Sequence, residues 1–410
     1  MKTIIICLAL VSLMSCNSPV SVYEWRGANR AGVYNESALL RDWPAEGPDL
    51  LWSVDGLGHG YGSPVVAGDR IYLTGTNDST AVLRVFEADG TPAGEVSFGD
   101  EWNVNFPGSR CTPTVYGNEV YVLSGKGDLA CISAESLEVL WTKSLLRDFN
   151  GIAPRFGFAQ SPVVDDEKVY CTAGDSIYNV VALDRKSGAL SWSCKGMGER
   201  LAYNSGRIID HKGRKIVLLF SAYHLMAIDA EKGELLWTHE QRNTPVEKRE
   251  PGAGDTHGNT VLYENDTLYY VEGDGNGAVA LRLADDGNAV EEIWHRQEVD
   301  NYMGGIVNYD GFLYTCGFSK RNLLKMNARS GLVLDSLDLG RGALIAADQL
   351  LFYYNFRGEV HLVDVRDQAF ESRASFKIKK GTKEHFAHPV LHNGTLLIRH
   401  GDYLGAYKVQ

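Results

Sequence analysis

From residue 63 to the C-terminus, short runs of β-branched and aromatic residues alternate with tight polar turns. Ser63-Pro64-Val65-Val66 leads through Ala67-Gly68-Asp69 into Arg70-Ile71-Tyr72-Leu73. Thr112-Pro113-Thr114-Val115 leads into Val120-Tyr121-Val122-Leu123, and Ser161-Pro162-Val163-Val164 into Lys168-Val169-Tyr170. His388-Pro389-Val390-Leu391 leads through His392-Asn393-Gly394 into Leu396-Leu397-Ile398. Such pairs predict β-hairpins, because Gly, Asn and Asp take the turn conformations that join twisted strands. A second element follows each hairpin. Residues 182–192 and 227–237 both fit A-x-D-x-x-x-G-x-x-x-W, ending on Trp192 and Trp237, and looser copies end at Trp141 and Asp335. The Asp can bond turn amides and the Gly can take a positive φ, so this element predicts two further strands around a turn. The bulky residue after the turn is expected to wedge between neighbouring units.

Hairpin plus second element recur at a period of about 45 to 50 residues, the period of a four-stranded propeller blade. Blades are expected near 63–100, 111–146, 161–196, 205–240, 258–297, 304–340 and 342–380. The C-terminus supplies three more strands, near 389–391, 395–399 and 403–409. Leu50-Leu51-Trp52-Ser53-Val54 reads as the missing outer strand of that last unit. The expectation is an all-β, eight-bladed β-propeller of four-stranded antiparallel blades, one domain over 50–410. Pairing an N-terminal strand with C-terminal ones closes it, so that no long edge stays free. Residues 17–49 are a lead-in expected to pack on the outside.

Composition agrees: 44% of residues are hydrophobic and 22% charged, with 44 glycines and 20 tyrosines suited to many short strands and turns. The net charge of −12 argues against a broad basic face for nucleic acid. Residues 1–16, MKTIIICLALVSLMSC, combine Lys2, an apolar run from Ile4 to Leu13 too short to span a bilayer, and a Cys after a small residue. This resembles a bacterial lipobox. The resemblance implies acylation of Cys16, and Asn17 at the next position favours an outer-membrane anchor. Beyond it stand Cys111, Cys131, Cys171, Cys194 and Cys316, with no two adjacent and no C-x-x-C. Small buried strand residues are the reading they support.

The repeats resemble the quinoprotein-alcohol-dehydrogenase-like, PQQ-binding-like propeller family. Trp25-Arg26-Gly27-Ala28-Asn29-Arg30-Ala31-Gly32-Val33 resembles the W-R-G-x-x-R-x-G-V opening of its exported bacterial members. The resemblance implies an exported propeller and admits PQQ with Ca²⁺ as cofactor. The adjacent Cys pair of many large family dehydrogenases is absent, and no Asp/Glu/Asn set matches the family's Ca²⁺ site.

In a propeller, the loops entering the innermost strands converge around the axis, where convergent polar groups make the default binding site. These loops carry Arg110, Arg155, Phe158, Tyr203, Asn204, Asp255, His257, Asn259, Tyr302, Arg341, Lys383, His385 and His388 as candidate ligand-binding residues. Asp255 is placed to orient His257 for base chemistry, and His257, His385 and His388 could converge on a metal across the axis. Gln241–Gly254 is a longer polar loop that could act as a lid. No phosphate loop, nucleophile elbow or zincin motif occurs. Three functions stay open: an envelope lipoprotein whose propeller is a scaffold for a small molecule, a glycan or a protein partner; a PQQ-dependent oxidoreductase of alcohols or sugars, with Arg110, Arg155 and Lys383 facing the cofactor's carboxylates; and a saccharide-acting enzyme using Tyr203 or His257 as acid or base.

Overall fold

A computed structural model describes residues 21–242 and 244–410, so the export-signal reading and Cys16 lie outside the described residues. Eight blades surround a central axis. The first is Val65–Ala67, Arg70–Asn77, Thr80–Glu87 and Pro92–Asp100, antiparallel and in chain order. Six more span 114–144, 163–194, 207–240, 262–296, 306–337 and 342–377 with the same order. The eighth joins Val390–His392, Thr395–His400 and Tyr403–Lys408 to Leu50–Val54, with Trp52 opposite Ala406. The ring therefore closes as expected. The one α-helix among the described residues is the single turn Leu145–Asp148.

The repeated Trp is an inter-blade wedge. Trp141 Nε1 donates to the Arg185 carbonyl of the next blade at 3.0 Å, Trp192 to Ala230 at 3.1 Å, Trp294 to Ala328 at 3.0 Å, and Trp52 to Ala88 across the closure at 3.0 Å. Each indole lies over the turn glycine of that next blade. A Cβ on Gly188, Gly233, Gly331 or Gly90 would stand within 2.8 Å of the ring. The turn glycine is thus required twice, for its positive φ and for its bare face.

The described part of the lead-in, residues 21–49, does not pack only on the outside. It crosses the face opposite the entry loops, from the axis to the rim. Val22–Tyr23 adds a fifth, innermost strand to the second blade by pairing with Val115 and Tyr116. The chain then enters the axis, where Trp25 is 8% exposed, Arg26 1% and Arg30 0%. Arg26 Nη1 donates to the Leu344 carbonyl at 3.0 Å and to His388 Nδ1 at 2.8 Å, and Nη2 donates to the Ile306 carbonyl at 2.8 Å. Arg30 donates to Glu24 Oε2 at 2.6 Å and to the Ser161 and Pro162 carbonyls at 3.2 and 2.7 Å. The two arginines therefore tie together innermost strands from opposite sides of the ring. The motif's glycines follow from this seat. Gly27 holds φ 72° and ψ −164°, a region open in practice to glycine alone, and a Cβ on Gly32 would come within 2.2 Å of Arg26 Nη2. Further on, Val33 packs on the core between the sixth and seventh blades, and Leu39 and Trp43 on that between the seventh and eighth.

Candidate functional site

The entry loops enclose an axial cavity of about 430 Å³. Trp25 of the lead-in forms its floor, its ring 5.0 Å from that of His388 in an edge contact. Aromatic rings form the wall above. Tyr203, Phe156, Phe106 and Phe386 follow one another, as do Phe318 and Tyr302, with centroids 4.5–6.2 Å apart; Phe356, behind the lining, bridges Phe386 and Phe318, and Tyr61 stands against Phe386 at 5.5 Å. Arg110 is the one permanently charged side chain in the lining, its guanidinium 5.8 Å from the Tyr61 ring. Among the described residues the lining includes no Asp, Glu, Asn, Gln or Lys.

A belt of hydroxyls underlies this wall. The His388 amide donates to Ser63 Oγ at 2.9 Å, the Ser63 amide to Thr112 Oγ1 at 2.9 Å, the Thr112 amide to Ser161 Oγ at 3.0 Å, and the Ser161 amide to Ser205 Oγ at 2.8 Å. Each oxygen accepts from the preceding blade, which explains the Ser or Thr before proline in the repeats. From the fourth blade onward asparagines take over: Asn204 Nδ2 donates to the Asn259 carbonyl at 2.6 Å, and Asn259 Oδ1 accepts from the Gly305 amide at 2.7 Å.

The structure divides the thirteen loop residues chosen from the sequence. Arg110, Tyr203, His257, Tyr302 and His388 line the cavity. Asn204 and Asn259 are the belt just described and are scaffold. Phe158 is fully buried in the core between the second and third blades, because Gly157 at φ 80° turns it away from Phe156. Asp255 does not orient His257. Its carboxylate takes Arg200 Nε at 2.5 Å and the Gly252 amide at 3.1 Å. Arg155 is exposed, beside the Phe156 ring. Arg341 donates to the Phe318 carbonyl at 2.7 Å and lies over its ring. Lys383 is exposed, and its carbonyl accepts from His400. His385 stacks on His400 at 3.6 Å and pairs with Tyr354 Oη, outside the cavity lining, so the three histidines do not converge on a metal. Gln241–Gly254 is tied down rather than free to swing: Tyr223 Oη donates to the Ala253 carbonyl at 2.9 Å and Arg249 to Glu240 at 2.6 Å. All five described cysteines are buried and unpaired.

The titratable groups of the lining already have partners. His257 Nε2 lies 3.2 Å from the Ala222 carbonyl, and its Nδ1 is 3.0 Å from Glu272 Oε2, both side chains being fully buried. Burial lowers the imidazole to about 4 and pushes the Glu272 carboxyl well above its usual range, so burial favours the neutral form of each. Burial, then Arg26, lowers His388 to about 3, and its Nε2–H donates to the Met303 carbonyl at 2.8 Å. Tyr61 donates to Glu384 at 2.9 Å and Tyr302 to Asp274 at 2.8 Å, while Tyr203 Oη accepts from the Phe156 amide at 3.2 Å. Arg110 caps its own loop through the Gly108 and Asn105 carbonyls at 2.7 and 3.0 Å.

These residues do not fit PQQ with Ca²⁺. Ca²⁺ takes six to eight oxygen ligands rich in carboxylates, and no carboxylate stands in the lining. Three cofactor carboxylates would meet one arginine. Sequence reasoning missed Trp25 as the floor, Glu272 behind His257, and Phe318 and Phe386 in the wall. The opening motif and the Ser/Thr-Pro repeats were the available signals for the floor and the belt.

A PQQ-type family model described as outer membrane protein assembly factor BamB matches residues 79–334. The chain belongs to that family. Among solved structures it is similar to BamB from Moraxella catarrhalis, at 12% identity over 88% of this chain and 98% of that one, with a TM-score of 0.62. It is similar also to the quinohemoprotein alcohol dehydrogenase of Comamonas testosteroni, at 11% identity over 92% and 79%, with a TM-score of 0.63. A computationally designed protein, Ika8, matches at 10% identity over 88% and 99%, with a TM-score of 0.57. At such identities the likeness is one of fold. No curated protein matches the chain.

Proposed function

We propose that this protein is a non-catalytic binding propeller of the cell envelope, and that the axial cavity is its recognition site. The observation that carries this reading is the bonded state of the lining. His257 Nε2 and both nitrogens of His388 are occupied, Tyr61 and Tyr302 donate to carboxylates, and Arg110 is held by its own loop. The Tyr203 hydroxyl keeps its hydrogen, but burial pushes it above its usual range, so it offers a hydrogen bond rather than a proton. General acid–base catalysis needs a group free to exchange a proton with substrate. What remains open is an apolar chamber walled by rings. The same bonding weighs against a saccharide-acting enzyme, and the missing Ca²⁺ ligands weigh against an alcohol or sugar oxidoreductase.

The lipobox reading of Cys16 adds an orientation. Val22 lies on the face opposite the entry loops, and six residues reach at most about 20 Å. An acylated Cys16 would hold that face towards the membrane and turn the cavity away from it. Cys16→Ser is expected to move the protein from the membrane to the soluble fraction; a variant that stays membrane-bound would remove this anchor. A protein partner is the second reading, favoured by the family's description and by exposed Val104 and Phe106 at the mouth, 73% and 43% accessible.

A thermal-shift titration of residues 17–410 tests the binding reading. Small ring compounds are expected to stabilise the protein saturably, and Ala159→Phe, which fills the cavity without removing a hydrogen bond, is expected to abolish the shift. Stabilisation by PQQ with Ca²⁺, together with dye-linked oxidation of an alcohol, would overturn it in favour of the oxidoreductase.

A further inference from the structure

The cavity is polarised across its width, and this carries a statement about its ligand that rests on the binding reading above. On the side of the first four blades, Ser63, Thr112 and Ser205 are 1%, 2% and 5% exposed. Each hydroxyl oxygen accepts a backbone amide. A hydroxyl that accepts still has one hydrogen to donate, and among the described residues these three have no acceptor for it. Ser161 differs, because its hydroxyl also bonds the Cys111 thiol. Tyr203 joins the same side: its oxygen accepts from Phe156, and among the described residues its hydrogen has no acceptor. The floor adds Trp25, whose indole N–H has no acceptor among the described residues, and the rim adds Arg110.

The side of the fifth, sixth and eighth blades is different. His257 is fully buried with Nε2 on the Ala222 carbonyl, both nitrogens of His388 are bonded, Tyr302 spends its hydrogen on Asp274, and Met303 and Phe318 complete an apolar wall. One half of the chamber thus offers donors and a single positive charge, and the other offers ring faces and a thioether. Buried donors without acceptors are costly, so a ligand that supplies acceptors to them gains more than one that does not.

We propose that the axial cavity binds a small ring compound carrying one carboxylate on its edge. The carboxylate lies towards Arg110, Trp25 Nε1 and the Ser63, Thr112 and Ser205 hydroxyls. The ring face lies against Tyr302, Met303 and Phe318. A single arginine offsets one negative charge, which sets the compound apart from polyanions. The ring can be aromatic, as in a hydroxycinnamate, or a sugar, as in a uronate; aromatic side chains stack on both.

Calorimetric titration tests this with 4-hydroxycinnamate and D-glucuronate, each beside its neutral counterpart, 4-hydroxycinnamyl alcohol and D-glucose. At least one carboxylate is expected to bind roughly tenfold or more tighter than its neutral counterpart, as for a charge-assisted hydrogen bond. Whichever carboxylate binds identifies the ring. Trp25→Phe keeps the ring and removes the N–H, and is expected to weaken that carboxylate about five- to tenfold. Ala159→Phe is expected to abolish binding. Equal binding of carboxylate and neutral forms would overturn the donor assignment while leaving the cavity as the site. Undiminished binding in Ala159→Phe, or no binding by any of the four compounds, would overturn this proposal and the cavity reading together.

Discussion

His388 shows how much one side chain of the repeat has been asked to do. It starts the innermost strand of the last blade, passes its amide to Ser63, accepts from Arg26 and donates to Met303. Burial and Arg26 keep it neutral down to about pH 3, whereas an unfolded histidine takes its proton near 6.5. Between those values the unfolded chain binds more protons than the folded one, so stability falls as pH drops from about 6.5 towards 3. His388→Asn keeps an acceptor for Arg26 and cannot titrate. It is expected to remove ~1.4 kcal/mol per pH unit from the acid slope of the unfolding free energy. Urea unfolding at pH 7, 5.5 and 4 measures this, and an unchanged slope would contradict the assignment. At this scale the sequence was only partly legible. It named the loops that meet at the axis but not which way each side chain turns. Phe156 and Phe158 are two residues apart, and the left-handed Gly157 between them puts one in the cavity wall and the other in a blade core. Asp255 and His257 are equally close in sequence, yet one pairs with Arg200 and the other with Glu272. Such partners come from distant turns, and local spacing carries no record of them.

At the scale of the element, the blade was legible because its punctuation repeats. The turn glycine and the following Trp were read as a structural pair, and the indole does lie on the next blade's glycine. The account predicts two different costs at one position. Trp294 is 6% exposed and donates to Ala328. Trp294→Ala is expected to destabilise by about 3–5 kcal/mol through the cavity it leaves, and Trp294→Phe by about 1 kcal/mol plus the smaller ring's lost contacts. Chemical denaturation of both variants checks the order; equal losses would mean that the wedge acts through its N–H alone. The same logic explains the lead-in. The sixth blade carries Asp335 in place of the Trp, and Val33, Leu39 and Trp43 fill the junctions on either side of the seventh blade. The period predicted the ring but not this substitution, because residues 22–43 lie outside the repeat and their contacts include partners 94 (Val22 with Tyr116) and 318 (Arg26 with Leu344) residues away in the chain.

For the whole molecule, closure and plugging do separate work. Leu50–Val54 completes the last blade and removes the open edge. Trp25, Arg26 and Arg30 fill the axis from the opposite face, and Trp25 lines the axial cavity. A propeller closed in this way presents a ring-lined pocket at its axis, the site of the recognition proposed above. The measurement that tests this most directly is a crystal structure of residues 17–410 soaked with the tightest-binding ring carboxylate. The account predicts a single ligand above Trp25, its ring against Tyr302 and Phe318 and its carboxylate towards Arg110. A ligand seated elsewhere on the propeller, with the axial chamber empty, would contradict it.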